Sequence, residues 1–267
     1  MRVAALQIAS DDDLDGNVER ANRLFTTAAD RGAELIVLPE KWSLLGDPEV
    51  LHAKAESIDG RAITAIRELC RTHNVHCVAG SVAERIDGQH KLANTCLVID
   101  NLGEVVAQYR KLHMFDVTLD GVAYNESSAE DAGDEVVTVD VLGARLGLSI
   151  CYDLRFPELY RLLALAGSQI VTVPAAFTLH TGRDHWEVLL RARAIENQCF
   201  VIAANIIGDH GGGKASYGRS MIVDPWGLVL AQAADTETCI VADIDLGAID
   251  VIKRAMPVIE HRRTDVY

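Results

Sequence analysis

Three ionisable residues share a placement that invites chemistry: Glu40, Lys111 and Cys151 each stand immediately after an apolar run. A carboxylate, an ammonium and a thiol brought together can attack an amide or a nitrile. The carboxylate takes the thiol proton and later activates water, while the cation and a backbone N–H stabilise the oxyanion of the tetrahedral intermediate. Taken singly, each residue also has a plainer reading. A free cysteine at a strand end fits simple core packing, Glu40 can cap a loop, and Lys111 can be a surface charge.

Cys151 carries the most local information. Residues 144–150 are apolar and read as a buried strand, and Phe156-Pro157-Glu158 reads as a helix start, with Pro at the first helical position and Glu at the positive helix end. The thiol therefore falls where a strand stops and a helix is about to begin, the place where open α/β sheets bind ligands. The amide groups of a helix entrance are expected to favour its thiolate.

The elements that must bring the three residues together follow from periodicity. Strands are predicted at 3–8, 34–39, 75–83, 136–141, 144–150, 169–173, 200–204 and 239–244. Hairpins are predicted at 92–110 around Asn101-Leu102-Gly103 and at 221–231 through Asp224-Pro225-Trp226-Gly227. Helices are predicted at 16–31, with Val18, Ala21, Phe25 and Ala28 on one face, and at 61–73. Further on, Leu159, Leu162, Leu163 and Ala166 line a helix, residues 184–197 form another with Val188, Ala192 and Ile195 inward, and 246–254 forms a short one. Residues 121–134 read as a long polar loop containing Glu126. With no linker or repeat, the pattern predicts one domain in which two sheets pack together with helices outside.

The totals agree with a globular enzyme. The chain has 267 residues, 49% hydrophobic and 24% charged, enough for a sizeable core. A net charge of −14 argues against nucleic acid and against an anionic membrane surface as partners. The apolar start meets Asp11-Asp12-Asp13 too early for a secretory leader, and no run is long enough to span a membrane. Six cysteines, most within apolar runs, are expected to stay reduced in a cytoplasm. Cys70, His73, His76 and Cys77 sit close together, but their spacing fits no zinc motif and packing is the expected role. Gly211, Gly212 and Gly213 lack the Lys-Ser/Thr ending of a phosphate loop and read as a flexible turn. His185 and Trp186 read as structural residues opening a helix.

At this point the sequence resembles the nitrilase superfamily, the carbon–nitrogen hydrolases. The likeness is carried by Leu38-Pro39-Glu40, by Tyr109-Arg110-Lys111-Leu112-His113 and by the stretch from Ile150-Cys151-Tyr152-Asp153 to Phe156-Pro157-Glu158. It extends through His185-Trp186-Glu187, Arg191-Ala192-Arg193-Ala194-Ile195-Glu196-Asn197, Ala215-Ser216-Tyr217-Gly218 and Val223-Asp224-Pro225-Trp226-Gly227. The resemblance implies an α/β fold, a four-layer α-β-β-α sandwich, as a single domain over 1–267. It implies Cys151 as nucleophile, Glu40 as general base, and Lys111 with the Tyr152 backbone N–H as oxyanion stabilisers. Glu126 matches a second glutamate that positions substrate and lysine.

His113, Arg155-Phe156 and the closing Arg262-Arg263-Thr264-Asp265-Val266-Tyr267 are similar to the Nit branch, whose members cut amides of 2-oxo acids such as 2-oxoglutaramate, or deaminated glutathione. The implied reaction releases an acid and ammonia through a cysteine thioester and needs no cofactor or metal. Arg155 can hold a substrate carboxylate as a bidentate pair, or pair with Asp153 or Glu158 instead. Tyr152, Phe177 and Thr178 can line the pocket. The family also implies a homodimer or larger homo-oligomer, with 255–267 as a tail at the interface. Nitrile, aliphatic-amide or N-carbamoyl hydrolysis is the enzymatic rival, and a catalytically silent binding protein is the rival of another class.

Overall fold

The computed structural model describes residues 1–266; Tyr267, the last residue of the closing motif, lies outside them. The first sheet has eight strands: β1 (Arg2–Gln7), β2 (Leu35–Val37), β3 (His76–Val78), β4 (Val82–Glu84), β5 (Leu92–Ile99), β6 (Val105–Arg110), and further along the chain β9 (Glu130–Asp131) and β18 (Thr238–Asp243). Two strands between β6 and β9, β7 (Asp116–Leu119) and β8 (Val122–Asn125), make a separate hairpin. The second sheet has six strands: β10 (Thr138–Val141), β11 (Ala144–Leu148), β12 (Ile170–Ala175), β13 (Phe200–Asn205), β16 (Met221–Val223) and β17 (Val229–Gln232). β14 (Ile207–Asp209) and β15 (Ala215–Tyr217) form another small hairpin.

The layers follow from the period of two along each strand. On β1, Val3 and Ala5 join the core shared with the second sheet, while Ala4 and Leu6 join the core under α1 (Leu14–Asp30) and α3 (Arg61–His73); α2 (Pro48–Lys54) lies between these helices in the chain. The second sheet is covered in turn by α4 (Pro157–Leu165) and α5 (Leu179–Asn197), whose Leu159, Leu163, Trp186 and Leu190 belong to the first core. Helices thus lie outside two facing sheets, the expected four layers. The parallel strands β1, β2, β11, β12 and β13 are covered on both faces, which is why their sequences run apolar without alternation. After α6 (Gly247–Ala255), the described tail runs through turns at 258–261 and 264–266.

Several expected boundaries move. Residues 75–83 are two strands rather than one, broken at Gly80, whose φ is +61° and where a β-carbon would stand 2.0 Å from the Pro39 carbonyl oxygen. That close approach seats the segment carrying Glu40. Residues 121–134 are not a plain loop but contain β8, a short 3-10 helix at Glu126–Ser128 and β9. α5 begins at Leu179 rather than 184, so His185 and Trp186 lie within it. Its inward face is Trp186, Leu190, Arg193, Ala194 and Asn197, whereas Val188 and Ile195 are exposed. Polar partners explain the reversal: Arg193 donates from Nη2 to the Leu154 carbonyl at 2.7 Å and Asn197 donates from Nδ2 to the Arg193 carbonyl at 3.0 Å, so the buried donors of both find acceptors. Leu162 on α4 is likewise exposed.

Candidate active site

Four of the expected residues meet at one end of the two sheets. Glu40 follows β2, and its carboxylate is fixed on both oxygens. Oε1 accepts from Asn94 Nδ2 at 2.8 Å and from Lys111 Nζ at 2.9 Å, and Oε2 accepts from the Ala176 N–H at 2.8 Å. Lys111 follows β6 and is fully buried, so the surface-charge reading is excluded. Its ammonium also donates to Glu126 Oε1 at 2.9 Å and Oε2 at 2.8 Å. Glu126 opens the 3-10 helix and accepts the Phe115 N–H at 2.7 Å.

Cys151 lies directly after Ile150 at the first position of a second 3-10 helix, Cys151–Arg155, with φ +48°. A residue with a β-carbon rarely adopts this conformation, and it costs about 1–2 kcal/mol, so neighbouring bonds must hold it. Asp153 supplies them. Its Oδ2 accepts the Ile150 N–H at 2.8 Å and the Tyr109 hydroxyl at 2.6 Å, and its Oδ1 accepts the His113 N–H at 3.1 Å and lies 2.7 Å from His113 Nδ1. The His113 ring stacks on Phe156 at 3.6 Å. Asp153→Ala orphans the Tyr109 hydroxyl and the Ile150 N–H in the core. It is expected to lower unfolding free energy by about 3 kcal/mol, read from denaturant midpoints; a loss under about 1 kcal/mol would show that the turn holds itself.

The electrostatics of the cluster set its resting state. Burial pushes the Cys151 thiol up, Glu40 adds to the effect and Lys111 opposes it, so the sulfur rests as a thiol on the cavity lining it shares with the Glu40 carboxylate. The expectation of a thiolate favoured by a helix entrance is therefore overturned: the sulfur sits in a buried pocket against a carboxylate. Burial would lower the Lys111 pKa, but Glu126 and Glu40 outweigh it and hold the ammonium charged. Burial would raise Glu126, but Lys111 and then Lys41 bring it below the usual carboxylate range.

The cluster opens into a cavity of about 600 Å³, also lined by Tyr124, Asp47 and His210. Tyr152 lies on its wall, with its ring edge-on to Phe115 at 4.9 Å. Arg155 is half-buried, with its guanidinium 4.9 Å from the Phe177 ring centroid, 3.1 Å from Thr181 Oγ1 and 3.1 Å from His185 Nδ1. Asp153 is committed elsewhere, and among the described residues Arg155 has no carboxylate partner. Phe177 and Thr178 line the same cavity; the Phe177 N–H donates to Asn205 Oδ1 at 2.9 Å.

Sequence reading missed Lys41, Asn94, Glu130, Asp153 and the Ala176 N–H. Asn94 carried one signal, a polar residue inside the apolar run of β5. The Cys70 and Cys77 thiols are buried in the helix-side core, and all six cysteines are free. No helix of the described residues is long and apolar enough to cross a membrane.

The sequence profile of the carbon-nitrogen hydrolases matches residues 2–254. The chain belongs to this family. Among carbon–nitrogen hydrolases it is 42% identical over 270 residues to the nitrilase and fragile histidine triad fusion protein NitFhit of Caenorhabditis elegans, covering 99% of this chain and 61% of that protein. The chain thus spans under two thirds of the fusion protein. The crystal structure of the same protein superposes with a TM-score of 0.92 at 41% identity, covering 100% of this chain and 66% of that one. The deaminated glutathione amidase of Synechocystis is 40% identical, with 97% of each chain covered. Human omega-amidase NIT2 is 36% identical, covering 100% of this chain and 96% of that one.

Proposed function

We propose that the protein is an amidase that hydrolyses a small carboxylate-bearing amide through a thioester on Cys151. The observation that carries this reading is the convergence of Glu40, Lys111, Glu126 and Cys151 on one cavity wall.

Glu40 accepts the Cys151 proton as sulfur attacks the substrate carbonyl carbon. The S–C bond forms and the carbonyl π pair moves onto oxygen, where Lys111 Nζ and the Tyr152 N–H stabilise the negative charge. The oxyanion collapses, the C–N bond breaks, and Glu40 returns its proton to the departing nitrogen. Water then adds to the thioester as Glu40 takes its proton. The C–S bond breaks, the acid leaves, and the proton on Glu40 goes back to sulfur. Glu40 suits both half-reactions because Asn94, Lys111 and the Ala176 N–H fix its orientation throughout.

Arg155 supports a carboxylated substrate, since its guanidinium borders the cavity with no acidic partner among the described residues. There are two candidates: a 2-oxo acid amide such as 2-oxoglutaramate, implied by the sequence resemblance, and deaminated glutathione, named in the Synechocystis relative. They differ in the leaving group, ammonia for the first and cysteinylglycine for the second. A cavity of about 600 Å³ favours the larger, because a 2-oxoglutaramate would leave most of it empty. A substrate panel of both compounds, simple aliphatic amides, N-carbamoyl amines and nitriles, read by product acid and released amine together, tests the reading. Hydrolysis of nitriles alone, or of nothing, would sink it.

Arg155→Ala is expected to raise KM for carboxylated amides by about 10- to 100-fold, the worth of a charge-assisted bond, while simple aliphatic amides change by less than about threefold. An unchanged ranking of substrates removes the anion clamp. The reading includes a homo-oligomer with the tail at the contact, supported by the exposure of Val251, Met256 and Val266; a monomer by light scattering would remove that part.

A further inference from the structure

Lys41 is a buried ammonium that the reaction just described does not use. It follows Glu40 with φ +49°, a left-handed conformation disfavoured for any residue with a β-carbon, and its backbone N–H is tied to Ser81 Oγ at 3.1 Å. Its side chain is only 11% exposed. Nζ lies 2.9 Å from Glu130 Oε2 and 3.4 Å from Glu126 Oε1. Glu126 therefore stands between two ammonium groups. Charges of alternating sign run Glu40, Lys111, Glu126, Lys41, Glu130 along the cavity lining that also holds the thiol.

We propose that Lys41 is a positioning residue: backed by Glu130, it holds Glu126 ionised and aimed at Lys111, so that the Lys111 ammonium stays where the oxyanion forms. The inference deepens the amidase reading and rests on it. The groups facing Glu126 are Lys111 and Lys41, the Glu130 carboxyl from β9, the Asn94 amide from β5 and the Phe115 N–H before β7. With Lys41 removed, a single cation opposes the burial of Glu126, and protonation becomes easier. A protonated Glu126 no longer draws Lys111 with both oxygens, and the ammonium turns towards Glu40.

Glu130 completes the arrangement from the other side. The charged groups facing it are Lys41 and Glu126, and its Oε1 has no partner among the described residues. Burial raises its pKa from 4.5 to about 7, against the pull of Lys41. The folded state then binds more protons than the unfolded between these values, so this group's contribution to stability falls as pH rises from about 4.5 to about 7. Lys41 limits that loss and keeps the second carboxylate, Glu126, out of the same fate.

The test compares Lys41→Met, Lys41→Arg and the double variant Lys41→Met/Glu130→Gln. For Lys41→Met, kcat is expected to fall about tenfold with KM within about twofold, and the acid limb of kcat/KM to move up by about one pH unit. Lys41→Arg keeps the wild-type limb. The double variant removes the buried Glu130 carboxyl that Lys41→Met leaves without its partner, so its thermal midpoint recovers towards wild type while kcat and the displaced limb do not. A wild-type limb in Lys41→Met, or recovery of kcat and limb along with stability in the double variant, overturns the proposal. If Lys41→Met does not fold, the double variant decides alone. Alkylation of Cys151 by iodoacetamide follows the same acid inflection without turnover. A wild-type protein inactive on every amide therefore sinks the amidase reading and leaves this one testable.

Discussion

Cys151→Ala abolishes amide hydrolysis, with kcat falling by at least about 10⁴-fold, the scale on which losing a nucleophile is felt, while the protein stays folded. The two halves of this expectation have separate grounds. Among the described residues Cys151 is the one cysteine that lines the cavity with Glu40, so its loss leaves binding and oxyanion stabilisation with no thiol to form the covalent bond. Folding survives because the strained turn at φ +48° is held by Asp153, not by sulfur, and alanine has the same backbone preference there. Steady-state rates with the best substrate of the panel, beside circular dichroism and a thermal melt, read both halves. Activity within tenfold of wild type in a folded Cys151→Ala protein would remove covalent catalysis.

Lys111→Met is expected to damage rate and stability together. Removing one oxyanion donor costs about 10²–10³ in kcat. The same change leaves Glu40 and Glu126 buried without the ammonium that both bind, and uncompensated buried charge costs about 3–5 kcal/mol of stability. Without Lys111, Lys41 alone opposes the burial of Glu126, so Glu126 binds a proton more readily and the stability defect deepens as rising pH removes that proton. Denaturant melts at several pH values and single-turnover rates check the pair of effects. A stable variant whose rate falls less than tenfold would show that Lys111 neither holds the cluster nor meets the oxyanion.

These outcomes depend on residues of unequal visibility in the sequence. Cys151 was legible because an apolar strand ends beside Phe156-Pro157-Glu158, so local chemistry marks the junction. Glu40 and Lys111 became informative only as a set, since nothing local distinguishes a buried lysine after a strand from a surface one. The layers were legible because continuous apolar runs demand cover on both faces. The phase of α5 was not, because its inner face uses Arg193 and Asn197, whose burial depends on the Leu154 and Arg193 carbonyls, partners set by the fold. Strands of two to four residues within 116–131 were hidden in polar sequence; their pairing is tertiary. Lys41 and Glu130 carried no signal, being two charges 89 positions apart that become a pair only when β9 joins β5.

The central claim is that a covalent bond forms between Cys151 and the substrate acyl group. Mass spectrometry of acid-quenched protein during turnover, followed by peptide mapping, tests it most directly. The account predicts a mass increase equal to the acyl group on the peptide containing Cys151, lost on mild base treatment as a thioester is. Turnover of the wild-type protein without any adduct on Cys151, or an adduct on another residue, would contradict it.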